Sequence, residues 1–316
     1  MFLCSEQRFG DFLSLLWEIF SKFFQARGFS TVSLAGSLSS FIKMTSRVKN
    51  IHLANNLQLP LIEQGIPSAG PLIFLHGFAG SWRDFKLVLD FLSKSVYAIA
   101  LTQRGHGDAS HPETGYRLSN FSDDLVKFMK IKGIHKAVIV GHSMGSAVAQ
   151  RFAIDYPDKT LGLVLLGASI TRQGDPKVRE FFDSTVSKLA DPIEPNFVDQ
   201  FITSMRVKSI PEELFEEVMQ EAHKVPARVW IEAFEGRLLE NISEKIEHIN
   251  CPTLLIWGDR DQRSLRSDQN ELLRAISDSR LEVYNGTGHL LHLEEPKRLA
   301  SDIEAFLAEI KERSAS

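Results

Sequence analysis

The chain has 316 residues, of which 43% are hydrophobic and 24% are charged, a composition typical of globular proteins. The formal net charge is −4 and no basic cluster stands out, which argues against a nucleic-acid partner. Only two cysteines are present, so neither a disulfide framework nor a zinc-ligand spacing is indicated. No apolar run reaches transmembrane length. We therefore expect a cytoplasmic protein of one large domain or two smaller ones.

The first 45 residues are interpreted as an N-terminal extension. Between residues 12 and 24 the polar side chains fall on one helical stripe, which predicts an amphipathic helix with a broad apolar face. With its flanks, residues 9–27, this helix suits weak contact with a membrane surface or a second subunit. A serine-rich linker follows at 30–40. Translation from Met44, or packing of the extension on its own domain, are the alternative interpretations.

Short apolar or alternating runs recur downstream and predict eight strands. Helical patterns separate most of the later runs, which predicts a mostly parallel sheet covered by helices on both faces. No helix separates the first two runs, so we expect them to form an antiparallel hairpin at the sheet edge. The predicted strands are 48–54, 57–63, 72–76, 96–101, 137–140, 161–166, 253–257 and 281–284. The predicted helices are 82–92, 118–131, 143–155, 265–276 and 296–311.

The stretch from about Thr171 to Ile249 interrupts this alternation. It contains helix-like segments punctuated by prolines, with many aromatic side chains and no good strand. An excursion of this size between two strands is too long for a loop. We predict a helical cap, residues 171–249, inserted into a core formed by residues 46–170 and 250–316.

A serine lies at the apex of a strand–turn–helix pattern in Gly141-His142-Ser143-Met144-Gly145. The apolar run 137–140 precedes this segment and a helical pattern over 146–153 follows it. A serine hydroxyl is a poor nucleophile unless it is held exposed and given a base, and a strained strand-to-helix turn can hold it. The flanking glycines let neighbouring backbone approach closely. We therefore predict that Ser143 is a catalytic nucleophile.

Candidates for a base and an orienting acid lie downstream of Ser143. His289 follows the last predicted strand and is the best base, because the carboxyl ends of parallel strands share one edge of a sheet. Asp259 and Asp261 both follow the strand at 253–257, and either could supply the acid. Asp261 lies further into its loop and is better able to reach a histidine on a neighbouring strand.

Five features, taken in chain order, resemble the α/β-hydrolase superfamily, and specifically its capped, esterase-like and lipase-like branch. Together they span about residues 48–311, and the order serine, aspartate, histidine agrees with that of the family. The features are His76-Gly77-Phe78, Arg104-Gly105-His106-Gly107, the Ser143 turn, Gly258-Asp259-Arg260-Asp261, and Gly288-His289 followed by Glu294-Glu295-Pro296. The chain departs from many relatives at Gln103, where they have aspartate.

The resemblance implies an α/β-hydrolase fold, with an eight-stranded, mostly parallel sheet and a helical cap inserted after strand six. It implies that the acid is Asp261, the fourth residue of its turn. It also implies that the backbone N–H groups of Phe78 and Met144 form an oxyanion hole. No metal or organic cofactor is required for this chemistry.

The expected activity is that of a serine hydrolase that cleaves small to medium, rather apolar carboxylic esters through an acyl-enzyme, with a small-molecule ester as its partner. A serine nucleophile disfavours epoxide and haloalkane hydrolysis, since water could not release a serine alkyl ether. Alternatives within the family are a hydrolase of carbon–carbon bonds or lactones, or a perhydrolase-like enzyme. A non-catalytic ligand receptor of the same fold is a further alternative.

Overall fold

The centre of the protein is one eight-stranded sheet in the order β1-β2-β4-β3-β5-β6-β7-β8. The structure is a computed structural model that describes residues 48–53, 56–67, 71–170 and 176–315. β1 pairs antiparallel with β2 and β2 with β4, and all other pairs are parallel, so the predicted edge hairpin and mostly parallel sheet are confirmed. The strands are β1 (Lys49–His52), β2 (Gln58–Gln64), β3 (Leu72–Leu75), β4 (Ala98–Leu101), β5 (Ala137–His142), β6 (Thr160–Leu166), β7 (Thr253–Gly258) and β8 (Ser279–Tyr284).

Helices connect the parallel strands, and a run of four lies between β6 and β7, where the sequence predicts a cap. Pro176 and Pro195 each begin one of these helices, as expected for a residue whose fixed φ suits the first helical turn. The helices of the described ranges are α1 (Lys86–Phe91), α2 (Leu118–Lys132), α3 (Met144–Asp155), α4 (Pro176–Ser184), α5 (Pro195–Thr203), α6 (Glu212–Ala222), α7 (Ala227–Leu239), α8 (Arg266–Ala275), α9 (Leu291–Glu294) and α10 (Pro296–Ala315).

The predictions for the first 45 residues lie outside the described residues. These are the amphipathic helix at 12–24, its contact surface at 9–27, the linker at 30–40 and the alternative start at Met44. Among the helices of the described ranges, none combines the length and apolarity needed to cross a membrane.

The central strands are buried on both faces, which explains why their sequences are continuous apolar runs rather than alternating ones. In β5, Ile139 faces the core that is shared with α2 and α3, and Val138 and Val140 face the core on the opposite side. α10 covers that opposite side, with Phe306 buried against it. With both faces covered by helices, the open ends of the strands are where the sheet can present functional side chains.

The loop after β4 is fixed to α2 by a buried ion pair. The Arg104 guanidinium donates from Nε and Nη2 to the two carboxylate oxygens of Asp124, both at 2.6 Å. The Arg104 and Asp124 side chains are only 12% and 5% exposed, and Nη1 donates to the carbonyl oxygen of Gly115 at 2.9 Å. Removal of the cation would leave the carboxylate buried without compensation.

We expect Arg104→Met to lower the free energy of unfolding by about 3–5 kcal/mol, measured by urea denaturation, because Asp124 then remains as an unpaired buried charge. Arg280 provides the matched control, since it makes a similar two-point contact with Glu309 but both side chains are about 40% exposed (39% and 41%). Arg280→Met should cost about 1 kcal/mol or less. Equal losses in the two variants would contradict this account of the Arg104 pair.

Candidate active site

The carboxyl ends of β3, β5, β7 and β8 bring the predicted site residues to one edge of the sheet. Phe78 follows β3, Ser143 follows β5, Asp261 follows β7 and His289 follows β8. Phe78, Ser143 and His289 line one cavity of about 310 Å³. Asp261 lies behind His289 with a fully buried side chain. The structure therefore brings together these four predicted site residues, which follow four different strands.

Ser143 occupies a backbone conformation that is rare for a residue with a side chain. Its φ is 49° and its ψ is −111°, at the point where β5 ends and α3 begins. Its N–H continues the sheet by donating to the Leu166 carbonyl oxygen at 2.9 Å. A Cβ atom on Gly145 would lie only 2.1 Å from the Leu75 carbonyl oxygen, so only glycine permits this close packing of helix on strand. The strain and the close contacts hold the serine at the cavity wall.

His289 is oriented by a buried carboxylate. Nδ1 of His289 and Oδ2 of Asp261 are 2.7 Å apart, and their side chains are 3% and 0% exposed. The other carboxylate oxygen, Oδ1, accepts backbone N–H bonds from Arg263 at 2.7 Å and Ser264 at 3.0 Å. Because a carboxylate only accepts, Nδ1 carries the proton and Nε2 is left as the basic nitrogen.

Of the two aspartates considered from the sequence, Asp261 is the one that contacts His289. Asp259 Oδ1 instead accepts the Gly286 N–H at 2.6 Å, within the loop that carries His289. Asp259 is partly exposed and also lies 3.9 Å from the Arg260 guanidinium. Its position indicates support of the loop rather than contact with the imidazole.

The two predicted oxyanion donors lie beside Ser143. Met144 is the first residue of α3, and a helix leaves the N–H groups of its first turn without intrahelical acceptors. Phe78 lies in a turn that is closed by the Gly80 N–H and the Gly77 carbonyl oxygen at 3.2 Å. A Cβ atom on Gly77 would be 3.4 Å from the Ser143 Cβ, so this turn packs directly against the serine.

Neutral histidines support the loop that carries His289. His142 Nε2 donates to the His289 carbonyl oxygen at 2.9 Å, and the two rings are 4.8 Å apart between centroids. Burial holds the pKa of His142 well below its ordinary value, and burial followed by the nearby His289 lowers the pKa of His292 to about 3. Both rings are therefore neutral at ordinary pH and act by packing and by the one hydrogen bond of His142. The sequence does not identify the His289 carbonyl oxygen as the partner of His142.

The cavity is mainly apolar and is closed on one side by the helices between β6 and β7. The side chains of these helices on its wall include Phe181, Phe201 and Phe234. Three cationic side chains also line it, namely Lys177, Arg237 and Arg263. Within the described ranges, no group of three or more His, Cys, Asp or Glu side chains is arranged to hold a metal ion.

Comparison with known proteins identifies the family. Residues 70–296 match the model of the alpha/beta hydrolase fold, and the chain therefore belongs to the α/β-hydrolase fold family. The solved structure of the esterase EaEST from Exiguobacterium antarcticum superposes with a TM-score of 0.74 at 20% identity, covering 83% of this chain and 100% of that one. These findings confirm the fold class that the motifs of the sequence imply.

Relatives of similar length are enzymes by name. A Bacillus subtilis (strain 168) protein with the provisional name 2-succinyl-6-hydroxy-2,4-cyclohexadiene-1-carboxylate synthase is 26% identical over 83% of this chain and 98% of its own. Lipase 3 of Moraxella sp. (strain TA144) is 28% identical over 84% of this chain and 85% of its own. A monoacylglycerol lipase of Rattus norvegicus is 25% identical, with 78% of each chain covered. The names lipase and monoacylglycerol lipase support an enzyme of the carboxylic ester hydrolase class.

A buried carboxyl group on the cavity wall was not anticipated from the sequence. Asp84 is 5% exposed and lies in the 3₁₀ turn Trp82–Phe85, where Oδ1 accepts the Ser81 N–H at 3.4 Å. The pKa of Asp84 is raised to about 7, mainly by burial; the hydrogen bond from the Ser81 N–H opposes this rise and the charge of Glu221 on α6 contributes to it.

This carboxyl group should make stability depend on pH. Between about pH 4 and pH 7 the unfolded chain releases the Asp84 proton while the native state retains it, so the native state loses free energy relative to the unfolded state. Relative to Asp84→Asn, wild-type stability should fall across this range by on the order of 3 kcal/mol, measured by urea denaturation at a series of pH values. Asp90→Asn, which removes an exposed carboxylate from α1, is the control for the loss of a carboxylate as such. A difference between Asp84→Asn and wild type that does not change with pH would disprove the assignment.

Proposed function

We propose that the protein is a serine hydrolase that cleaves small to medium, rather apolar carboxylic esters through an acyl-enzyme. The observation that carries the proposal is the arrangement of Ser143 and His289 on one apolar cavity, with Asp261 hydrogen-bonded behind the imidazole. Nucleophile, base and orienting acid are the three groups that acyl transfer to water needs.

In the proposed reaction, Ser143 Oγ attacks the ester carbonyl carbon and its proton passes to Nε2 of His289. Asp261 keeps the proton on Nδ1 and stabilises the imidazolium that forms. The backbone N–H groups of Phe78 and Met144 donate to the developing oxyanion, and loss of one such donor typically costs roughly 3 kcal/mol of transition-state stabilisation. His289 then protonates the departing alkoxide, and later takes a proton from the water that releases the acid.

The cavity supports the proposed substrate class. A volume of about 310 Å³ suits a small to medium acyl chain, and apolar walls favour an apolar one. The cap, which we propose to be residues 171–249, would supply the apolar side of this cavity through its phenylalanines. The relatives named lipase and monoacylglycerol lipase agree with an acyl ester as substrate.

A second candidate follows from the three cationic side chains on the cavity wall. Lys177, Arg237 and Arg263 would suit a substrate that carries a carboxylate, and one relative is named for a carboxylate product. This feature favours the alternative of a hydrolase of carbon–carbon bonds in a charged ring-cleavage product. Faster cleavage of a vinylogous diketone acid than of any simple ester would support the alternative.

Ser143→Ala should lower kcat/KM for p-nitrophenyl butanoate by roughly 10³-fold or more, because the variant lacks the attacking oxygen. The release of p-nitrophenolate measures the rate directly. Ser187→Ala, which changes an exposed serine of the cap, should retain wild-type activity. Comparable turnover by Ser143→Ala and wild type would rule out the proposed nucleophile.

A matched pair of asparagine variants tests the acid. Asp261→Asn keeps an oxygen to accept the Arg263 and Ser264 N–H groups but faces His289 with an amide, which favours the wrong tautomer. We expect kcat to fall about 10³–10⁴-fold. Asp259→Asn keeps the acceptor for Gly286 and should change kcat less than about threefold. A larger loss of kcat in Asp259→Asn than in Asp261→Asn would identify Asp259 as the orienting acid instead.

A further inference from the structure

The turn that carries the proposed oxyanion donor Phe78 holds an unfavourable backbone conformation. It runs from Gly77 to Gly80 and has the form of a type II turn, with Ala79 at the third position. Ala79 has a φ of 61°, a value that glycine adopts freely and that a residue with a Cβ atom adopts at a cost. Such strain persists only where the surrounding structure holds the backbone in place.

The core holds both ends of this turn by close packing. A Cβ atom on Gly77 would lie 2.7 Å from Nδ1 of His142, and one on Gly80 would lie 2.1 Å from Oδ2 of Asp84. Ala79 in the middle of the turn presents only a methyl group, which is buried in the core. Phe78 contributes the large side chain of the turn, and its ring packs against other rings.

Phe78 inserts its ring among four others, which we call the aromatic cage. Trp230 and Phe234 of α7 lie 4.6 Å and 5.0 Å from it, and Phe201 of α5 lies 6.3 Å away, between centroids. The interplanar angles are 75°, 78° and 83°, which is the edge-to-face arrangement that aromatic pairs prefer. His106, from the loop after β4, completes the cage at 5.4 Å and 85°.

Three of the four cage rings thus come from the helices between β6 and β7, whereas the turn belongs to the core. We propose that the cage residues, and Phe201, Trp230 and Phe234 in particular, are positioning residues for the oxyanion turn. They hold Phe78 so that Ala79 stays at positive φ and the Phe78 N–H stays aimed at the carbonyl oxygen bound at Ser143. The cap thereby contributes to transition-state stabilisation as well as to the shape of the cavity.

This inference rests on the proposed acyl-transfer function and makes a distinct claim about rates. An oxyanion donor acts through its position, so loss of the cage should affect kcat far more than KM. A glycine in place of Ala79 would keep the turn at positive φ without help from the cage. The need for the Phe78 ring should therefore depend on which residue occupies position 79.

The experiment is a double-mutant cycle on p-nitrophenyl butanoate hydrolysis. In the wild-type chain, Phe78→Leu should lower kcat about tenfold and change KM by less than twofold. In the Ala79→Gly chain, the same substitution should lower kcat less than threefold. Phe234→Leu, which removes a cage ring from the cap side, should behave in the same way. Phe197→Leu is the matched control, because Phe197 lies 5.2 Å from Trp230 in the same cluster and makes no ring contact with Phe78 among the described residues.

Inhibition by a trifluoromethyl ketone gives a second measure of how well the oxyanion is stabilised. Ser143 Oγ adds to its carbonyl carbon, the hydroxyl proton passes to His289, and the resulting hemiketal oxyanion occupies the oxyanion hole. Its inhibition constant should rise in Phe78→Leu by the same factor by which kcat falls.

Equal losses of kcat from Phe78→Leu in the wild-type and Ala79→Gly chains would overturn the positioning role, as would an effect confined to KM. An equal loss in Phe197→Leu would also overturn it, since the effect would then come from general loosening of the cap. If Ser143→Ala retained the turnover of the wild type, the proposed function itself would be wrong. Melting temperatures of all variants show whether each is folded.

Discussion

Backbone packs directly on backbone where β5 passes into α3, and the site is built around this contact. A Cβ atom on Gly141 would lie 2.3 Å from the Gly145 carbonyl oxygen, and one on Gly145 would lie 2.1 Å from that of Leu75. Only glycine at both positions lets the helix begin immediately after Ser143 while it presses on the end of β3. The serine is consequently fixed at positive φ, and the oxyanion turn of Phe78, which follows β3, is fixed beside it.

The parallel sheet supplies the remaining members of the site, because the carboxyl ends of its strands share one edge. His289 and Asp261 follow neighbouring strands, and their side chains meet below the surface of the cavity. Backbone N–H groups of Arg263 and Ser264 stabilise the negative charge of Asp261 in a place that water does not reach. A buried carboxylate of this kind can orient an imidazole without being displaced by solvent.

The segment between β6 and β7 contacts this framework at several points besides the cavity wall, partly through the loop that joins α5 to α6. The Met205 carbonyl oxygen accepts the His289 N–H at 3.1 Å, and Glu294 accepts N–H groups from both Val207 and Gly288 at 2.8 Å. Ion pairs of Arg83 with Glu221 and of Lys86 with Glu217 join α6 to the segment that follows the oxyanion turn. Changes in the position of this segment would therefore reach the loop of His289 directly.

Local patterns in the sequence were enough to predict the eight strands, helices between the sixth and seventh strands, and the candidate residues Ser143 and His289, with Asp259 or Asp261 as the acid. Each depends on a short-range property: apolar runs, proline spacing, or residues that follow a strand end. The cage around Phe78, the raised pKa of Asp84 and the choice between Asp259 and Asp261 as the contact of His289 depend on distances between segments far apart in the chain. Only the tertiary structure decided them, because packing between distant segments sets burial and contact, and neither quantity is encoded in any single stretch of residues.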